Sequence, residues 1–244
     1  MNSQQNQKPS QNQVQNDAEF AYISENIKQV RYNINETFAK YRKTDDVVRI
    51  MAVTKTVGYE AVNFAVRQGI TLLGENRVQE YLEKKYFYLG NSEINFIGHL
   101  QSNKIKYIID NVSLIQSVDS VKLANEIDRQ ALKHNKIMDV LVEVNIGSEK
   151  SKSGVMKNEL IDILYQMSDM NNIRVKGLMT IPPVGNSERY FCEMQELFVD
   201  AKEKHIDNIN MELLSMGMSA DYVLAVKYGS NIVRIGTALF GARK

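Results

Sequence analysis

The chain has 244 residues, 43% of them hydrophobic and 24% charged, with a formal net charge of +1. That balance suits a globular domain and leaves no global field to attract nucleic acid or an anionic membrane. A single cysteine, Cys192, excludes an intramolecular disulfide framework and fits a reducing compartment. No window approaches the roughly 18 to 20 apolar residues that span a bilayer, and the N-terminus carries no signal-peptide apolar stretch, so cytoplasmic residence is the expectation.

Ten of the first sixteen residues are Gln or Asn. Such a stretch buries too little apolar surface to offset its ordering entropy. Residues 1–17 are therefore expected to form a disordered tail, and 18–244 one domain. Phe20, Ile23, Ile27, Val30 and Ile34 recur at helical spacing and predict a helix over 18–42. A β-branched run predicts a strand over 47–53, followed by a helical pattern over 59–69. Further short apolar runs fall at 70–73, 94–97, 112–116, 138–146, 173–178, 210–214 and 231–235. Helical patterns separate them at 76–88, 101–110, 119–134, 157–170, 187–204 and 219–228. Eight strands alternating with helices imply parallel pairing and right-handed crossovers. Near-equal units without a dinucleotide glycine fingerprint favour a single α/β (β/α)8 TIM barrel over an open sheet.

In a barrel, function gathers just beyond the strands' C-terminal ends. The first strand runs into Thr54-Lys55-Thr56. A lysine there is partly desolvated, which lowers its pKa and makes its amine nucleophilic toward aldehydes. The plainer alternative is a lysine reaching to solvent at the rim. After the second strand, Asn76 with Gln79 three residues on is a capping-box pattern, and the same helix start can face the barrel mouth. After the third, His99 and Gln101 follow Gly98. The fifth carries Glu143 and Asn145 on the face opposite its valines, and the sixth ends at Met179, which can serve as barrel filling. The seventh closes with Ser215-Met216-Gly217-Met218-Ser219 and the eighth with Arg234-Ile235-Gly236-Thr237. Barrels often hold a phosphate between these two last loops, on backbone N–H groups and hydroxyls, although a Gly-Thr pair can also be a simple turn. A lysine facing such a cradle is what pyridoxal 5′-phosphate (PLP) requires: an amine for its aldehyde and a grip on its phosphate.

The segments 52–55, 74–80, 96–104, 215–219 and 233–237 resemble the YggS/PROSC family of PLP homeostasis proteins, with similarity from about residue 20 to the C-terminus. The resemblance implies a barrel like the N-terminal domain of alanine racemase, with PLP held as an internal aldimine on Lys55. It implies a phosphate held by Ser219, Gly236 and Thr237, and Arg234 beside the pyridine nitrogen. Asn76 and Met216 complete the expected cofactor contacts. An arginine at that nitrogen keeps it unprotonated and weakens the ring as an electron sink. Alanine racemase works with a second domain and a tyrosine donated across its dimer. The chain ends at Lys244, just past its eighth strand, and is expected to lack both. Together these imply intracellular vitamin B6 homeostasis without a catalytic residue or metal. The expected partners are PLP, related B6 vitamers and PLP-dependent apoenzymes, and a monomer is expected. The alternative function is a PLP-dependent amino-acid racemase or lyase.

Overall fold

The computed structural model describes residues 18–42, 47–149 and 152–242; the expected tail at 1–17 lies outside them. Helix α1 (Ala21–Tyr41) precedes β1 (Arg49–Val53), α2 (Tyr59–Arg67), β2 (Leu72–Glu75), α3 (Val78–Lys84) and β3 (Glu93–Phe96). A 3₁₀ segment (Ser102–Tyr107) leads to β4 (Leu114–Val118), α4 (Val121–Lys133), β5 (Met138–Asn145) and the two-residue β6 (Val155–Met156). Then come α5 (Leu160–Ser168), β7 (Ile173–Met179), α6 (Ser187–Glu203), β8 (Ile209–Met218), α7 (Tyr222–Lys227), β9 (Ile232–Ile235) and α8 (Thr237–Phe240). The strands pair in parallel in the order β4-β3-β2-β1-β9-β8-β7-β5, and a β4–β5 pairing closes them into an eight-stranded barrel, with β6 appended to β5.

Strands buried on both faces read as continuous apolar runs, and here the two faces form separate cores. Met51, Leu72, Ile97 and Ile232 fill part of the lumen, and Leu114, Leu141 and Met179 another part. The outward faces join the helices in the main core. Helix α4 shows the local logic. The Ser120 hydroxyl accepts from the Leu123 N–H as an N-cap, and Leu123, Ala124, Ile127 and Ala131 are buried along one stripe.

Helix α1 buries Ile23, Ile27, Val30 and Ile34, each side chain contributing about 1.5–3 kcal/mol of burial energy. It braces the end of the chain: Asn33 Nδ2 donates to the Tyr222 hydroxyl at 2.7 Å, and Asn26 Nδ2 donates to the Leu239 carbonyl at 2.9 Å.

Several boundaries differ from the sequence reading. The helix expected at 101–110 is only the 3₁₀ segment, because Ile105, Ile108 and Ile109 bury their side chains within little more than a turn. Strand β8 extends to Met218 through a register shift against β9. The short β6 and α8 carry too few residues to produce a period.

Candidate functional site

The first, second, seventh and eighth barrel strands bring their C-terminal ends together. Lys55 lies two residues beyond β1, and Asn76 directly follows β2. Strand β1 pairs with β9 up to Ala52 and Ile235, so Gly236 comes beside Val53. A Cβ built on Gly236 would stand 3.6 Å from Val53 Cβ and 3.8 Å from its carbonyl oxygen. The glycine thus borders the strand that ends in Lys55, and a Cβ there would make only ordinary van der Waals contact with it.

Across that gap the Ser219 hydroxyl accepts from the backbone N–H groups of Gly236 and Ala238, each at 3.1 Å. Two backbone donors already converge on one oxygen atom, beside the exposed Thr237. This is the geometry an anionic oxygen needs.

Arg234 is 3% exposed. Its Nη1 donates to Ser215 Oγ at 2.8 Å and its Nη2 to the Thr180 carbonyl at 2.7 Å. Burial pulls its pKa down to about 10, opposed by the charges of Glu143 and Asp221, so the guanidinium stays charged at neutral pH. Behind it runs a buried polar belt that sequence reasoning missed. Ser215 Oγ donates to Gln116 Oε1 at 2.7 Å, and Gln116 Nε2 donates to Asn95 Oδ1 at 2.8 Å. All three residues are fully buried in the lumen. Each such group needs a partner, and the belt supplies them in sequence from β9 through β8 and β4 to β3. The sole signals were Asn95 and Gln116 within two apolar runs and Ser215 directly after a third.

Other expected positions divide. Glu143 is half-buried, and burial pushes its carboxyl pKa up, reinforced by Asp119 and offset by Arg234 and His99. Asn145 instead organises its own loop: its Nδ2 donates to the carbonyls of Glu149 and Lys152, and its Oδ1 accepts from the Glu149 N–H. His99 lies 3.6 Å from Asp119 Oδ2 and, with Asn76, Arg77, Gln101 and Lys104, lines a cleft of about 490 Å³. Met179 fills the lumen as expected. Met216 is fully buried in the barrel–helix core, and its carbonyl accepts from Ser230 Oγ at 2.8 Å. Alternation along β8 puts Ser215 inside and Met216 outside, so the methionine side chain is not part of the mouth.

The capping box does not form. Helix α3 begins at Val78 with Arg77 at its N-cap and no side-chain cap, while Gln79 donates to Glu83. The reason is that β2 still pairs with β3 at Glu75, whose carbonyl accepts from the Ile97 N–H. Asn76 Oδ1 is left buried without a protein partner. Against the Asn76 backbone lies Gly98, where any Cβ would come within 2.0 Å of the Asn76 carbonyl oxygen.

A lysine after the first strand and paired backbone N–H donors after the last, at the C-terminal mouth of a parallel barrel, define a class, and the family described as alanine racemase, N-terminal domain, matches residues 26–244. Within it, the chain belongs to the pyridoxal phosphate homeostasis protein family. A curated member from Aquifex aeolicus, named pyridoxal phosphate homeostasis protein, is 39% identical over 226 residues, covering 90% of this chain and 98% of its own length. The structure of PipY from Synechococcus elongatus PCC7942, solved with PLP bound, superposes with a TM-score of 0.79 at 29% identity, covering 90% of this chain and all of that one. Alanine racemase from Corynebacterium glutamicum shares the fold at a TM-score of 0.71 and 14% identity, over 92% of this chain and 62% of that chain.

Proposed function

We propose that this chain binds PLP at the barrel mouth and serves its homeostasis, with Lys55 as the covalent anchor. The observation that carries the reading is the approach of Gly236 to Val53, which sets the Ser219 cradle beside the strand that delivers Lys55. Membership of a family whose curated relatives are named for PLP homeostasis, and the PLP-bound PipY structure, support it.

The residues fit the cofactor. The N–H groups of Gly236 and Ala238 already hold an oxygen atom, Gly236 leaves the cradle open, and Asn76 Oδ1 awaits a donor. When bound, the cofactor supplies an aldehyde that condenses with primary amines. Lys55 Nζ provides the amine. Ser219, Gly236 and Thr237 bind the phosphate, and Met216 contributes through its backbone alone. Arg234, held by Ser215 and Thr180, presents a fixed positive charge toward the pyridine nitrogen, and a cation there keeps a proton off that atom. Storage and delivery to PLP-dependent apoenzymes, rather than turnover, is the role this arrangement suits.

Reconstitution with PLP tests the reading: a 1:1 complex with a band near ~420 nm that Lys55→Ala removes. A band that survives Lys55→Ala would refute it. One feature favours the racemase or lyase alternative: Glu143, with its raised pKa, and the His99–Asp119 pair can carry protons at the mouth. Deuterium exchange at amino-acid α-carbons in D₂O, at roughly 1–10³ s⁻¹, would establish that alternative.

A further inference from the structure

We infer that Glu80 and Lys84 of helix α3 are positioning residues for Lys55, gripping the backbone on both sides of it and holding Thr56 in a left-handed conformation. The inference rests on the proposed role of Lys55 and extends it to residues that act through the backbone around it.

The observations are independent of any ligand. Thr56 has φ of 62°, a region that a β-branched residue rarely enters and that persists only where surroundings impose it. Its N–H donates to Glu80 Oε1 at 2.6 Å. On the other side of Lys55, Lys84 Nζ donates to the Thr54 carbonyl at 3.1 Å, and it also binds Glu80 Oε1. Glu80 and Lys84 stand one helical turn apart on one face, each with only 16% of its side chain exposed. Further hydrogen bonds hold the segment, among them the Val57 N–H donating to the Thr54 carbonyl at 3.0 Å. The Thr54 N–H and hydroxyl both donate to the Gly74 carbonyl, and the Thr56 hydroxyl donates to the Lys55 carbonyl.

The geometry has a clear purpose. β1 ends at Val53, and an extended continuation would carry Lys55 along the strand direction. A left-handed residue directly after Lys55 turns the chain there, and the turn is retained by an ion pair on the neighbouring helix. Because α3 starts two residues after Asn76, the same helix links the lysine loop to the Asn76 loop.

Amide hydrogen exchange of the cofactor-free protein tests the grip, and PLP titration tests its consequence. In Glu80→Ala the Thr56 amide should exchange roughly tenfold faster or more, because the carboxylate oxygen that accepts from it is gone. PLP affinity should fall by a similar factor, and the absorbance band of the bound cofactor should titrate at a shifted pH. Glu80→Gln keeps an acceptor for the Thr56 N–H and should hold exchange and affinity within roughly threefold of the parent. A Glu80→Ala protein with parental Thr56 exchange, or with faster exchange but parental PLP affinity and titration, overturns the inference. If Glu80→Ala does not fold, Glu80→Gln and Lys84→Met carry the test. Lys84→Met should accelerate Thr56 exchange less than it weakens PLP binding, and unchanged binding overturns the inference. Should PLP attach elsewhere than Lys55 while Thr56 exchange still responds to Glu80, the parent reading fails and the backbone grip stands.

Discussion

The two sides of the barrel mouth are built by different means. On the β1–β2 side Lys55, the proposed anchor, sits in a turn that side chains impose: Glu80 and Lys84 hold the backbone, and Thr56 takes a conformation its own chemistry disfavours. On the β8–β9 side the groups proposed to bind are backbone N–H groups, a glycine without a side chain and one hydroxyl. The first side must aim a single atom, which needs a rigid frame. The second, on the proposed reading, must surround an oxyanion, which needs donors and room. Substitutions should therefore act on fold and aim on one side, and on affinity with little cost to the fold on the other.

The largest effect is expected at Gly98. A methyl group there meets the Asn76 carbonyl oxygen at 2.0 Å, so backbone must move. Gly98→Ala should lose about 3 kcal/mol of unfolding free energy in urea titration. At Gly236 the same change meets only an ordinary contact with Val53. Gly236→Ala should leave the urea midpoint nearly unchanged, while PLP affinity falls about tenfold, some 1.4 kcal/mol, by titration. Equal losses of stability at both glycines would erase the contrast.

Ser219→Ala removes the oxygen shared by the Gly236 and Ala238 N–H groups. It should cost about 1 kcal/mol in the cofactor-free protein, and saturating phosphate should recover part of that if the cradle binds anions. The smallest effect concerns acid. Burial favours the neutral form of Glu80, but the hydrogen bonds from Lys84 and the Thr56 N–H outweigh it and hold the carboxyl pKa below its ordinary value of 4.5. A depressed folded-state pKa contributes stability that is complete above the unfolded value and is lost as pH falls through the folded one. The stability gap between the parent and Glu80→Gln, about 0.5–1 kcal/mol at pH 7, should thus shrink as pH drops below about 4.5.

What was legible in the sequence follows from which signals are local. Lys55 follows a β run directly, and the Ser219 and Gly236-Thr237 loops each lie within a few residues of a strand end, so chain order alone exposed them. The barrel was legible because eight alternations require a parallel sheet, and helix α1 because four buried residues repeat at helical spacing. The polar belt was not legible. Asn95, Gln116, Ser215 and Arg234 come from four strands and meet only through closure and register. The burial of the Met216 side chain was not legible because a loop reading ignores alternation, which the extension of β8 to Met218 restores. Of the two readings of Asn76, the capping box fails because pairing with β3 extends β2 through Glu75 and the helix starts at Val78. Thr56 gave no warning, since its conformation is imposed by a helix more than twenty residues downstream.

The central claim is that Lys55 is the amine that holds the cofactor. Borohydride reduction of the PLP-loaded protein, followed by peptide mass mapping, tests it most directly. The account predicts a single stable pyridoxyl adduct on the peptide containing Lys55, absent from Lys55→Ala. An adduct on Lys84, Lys104 or any other lysine in its place would contradict it.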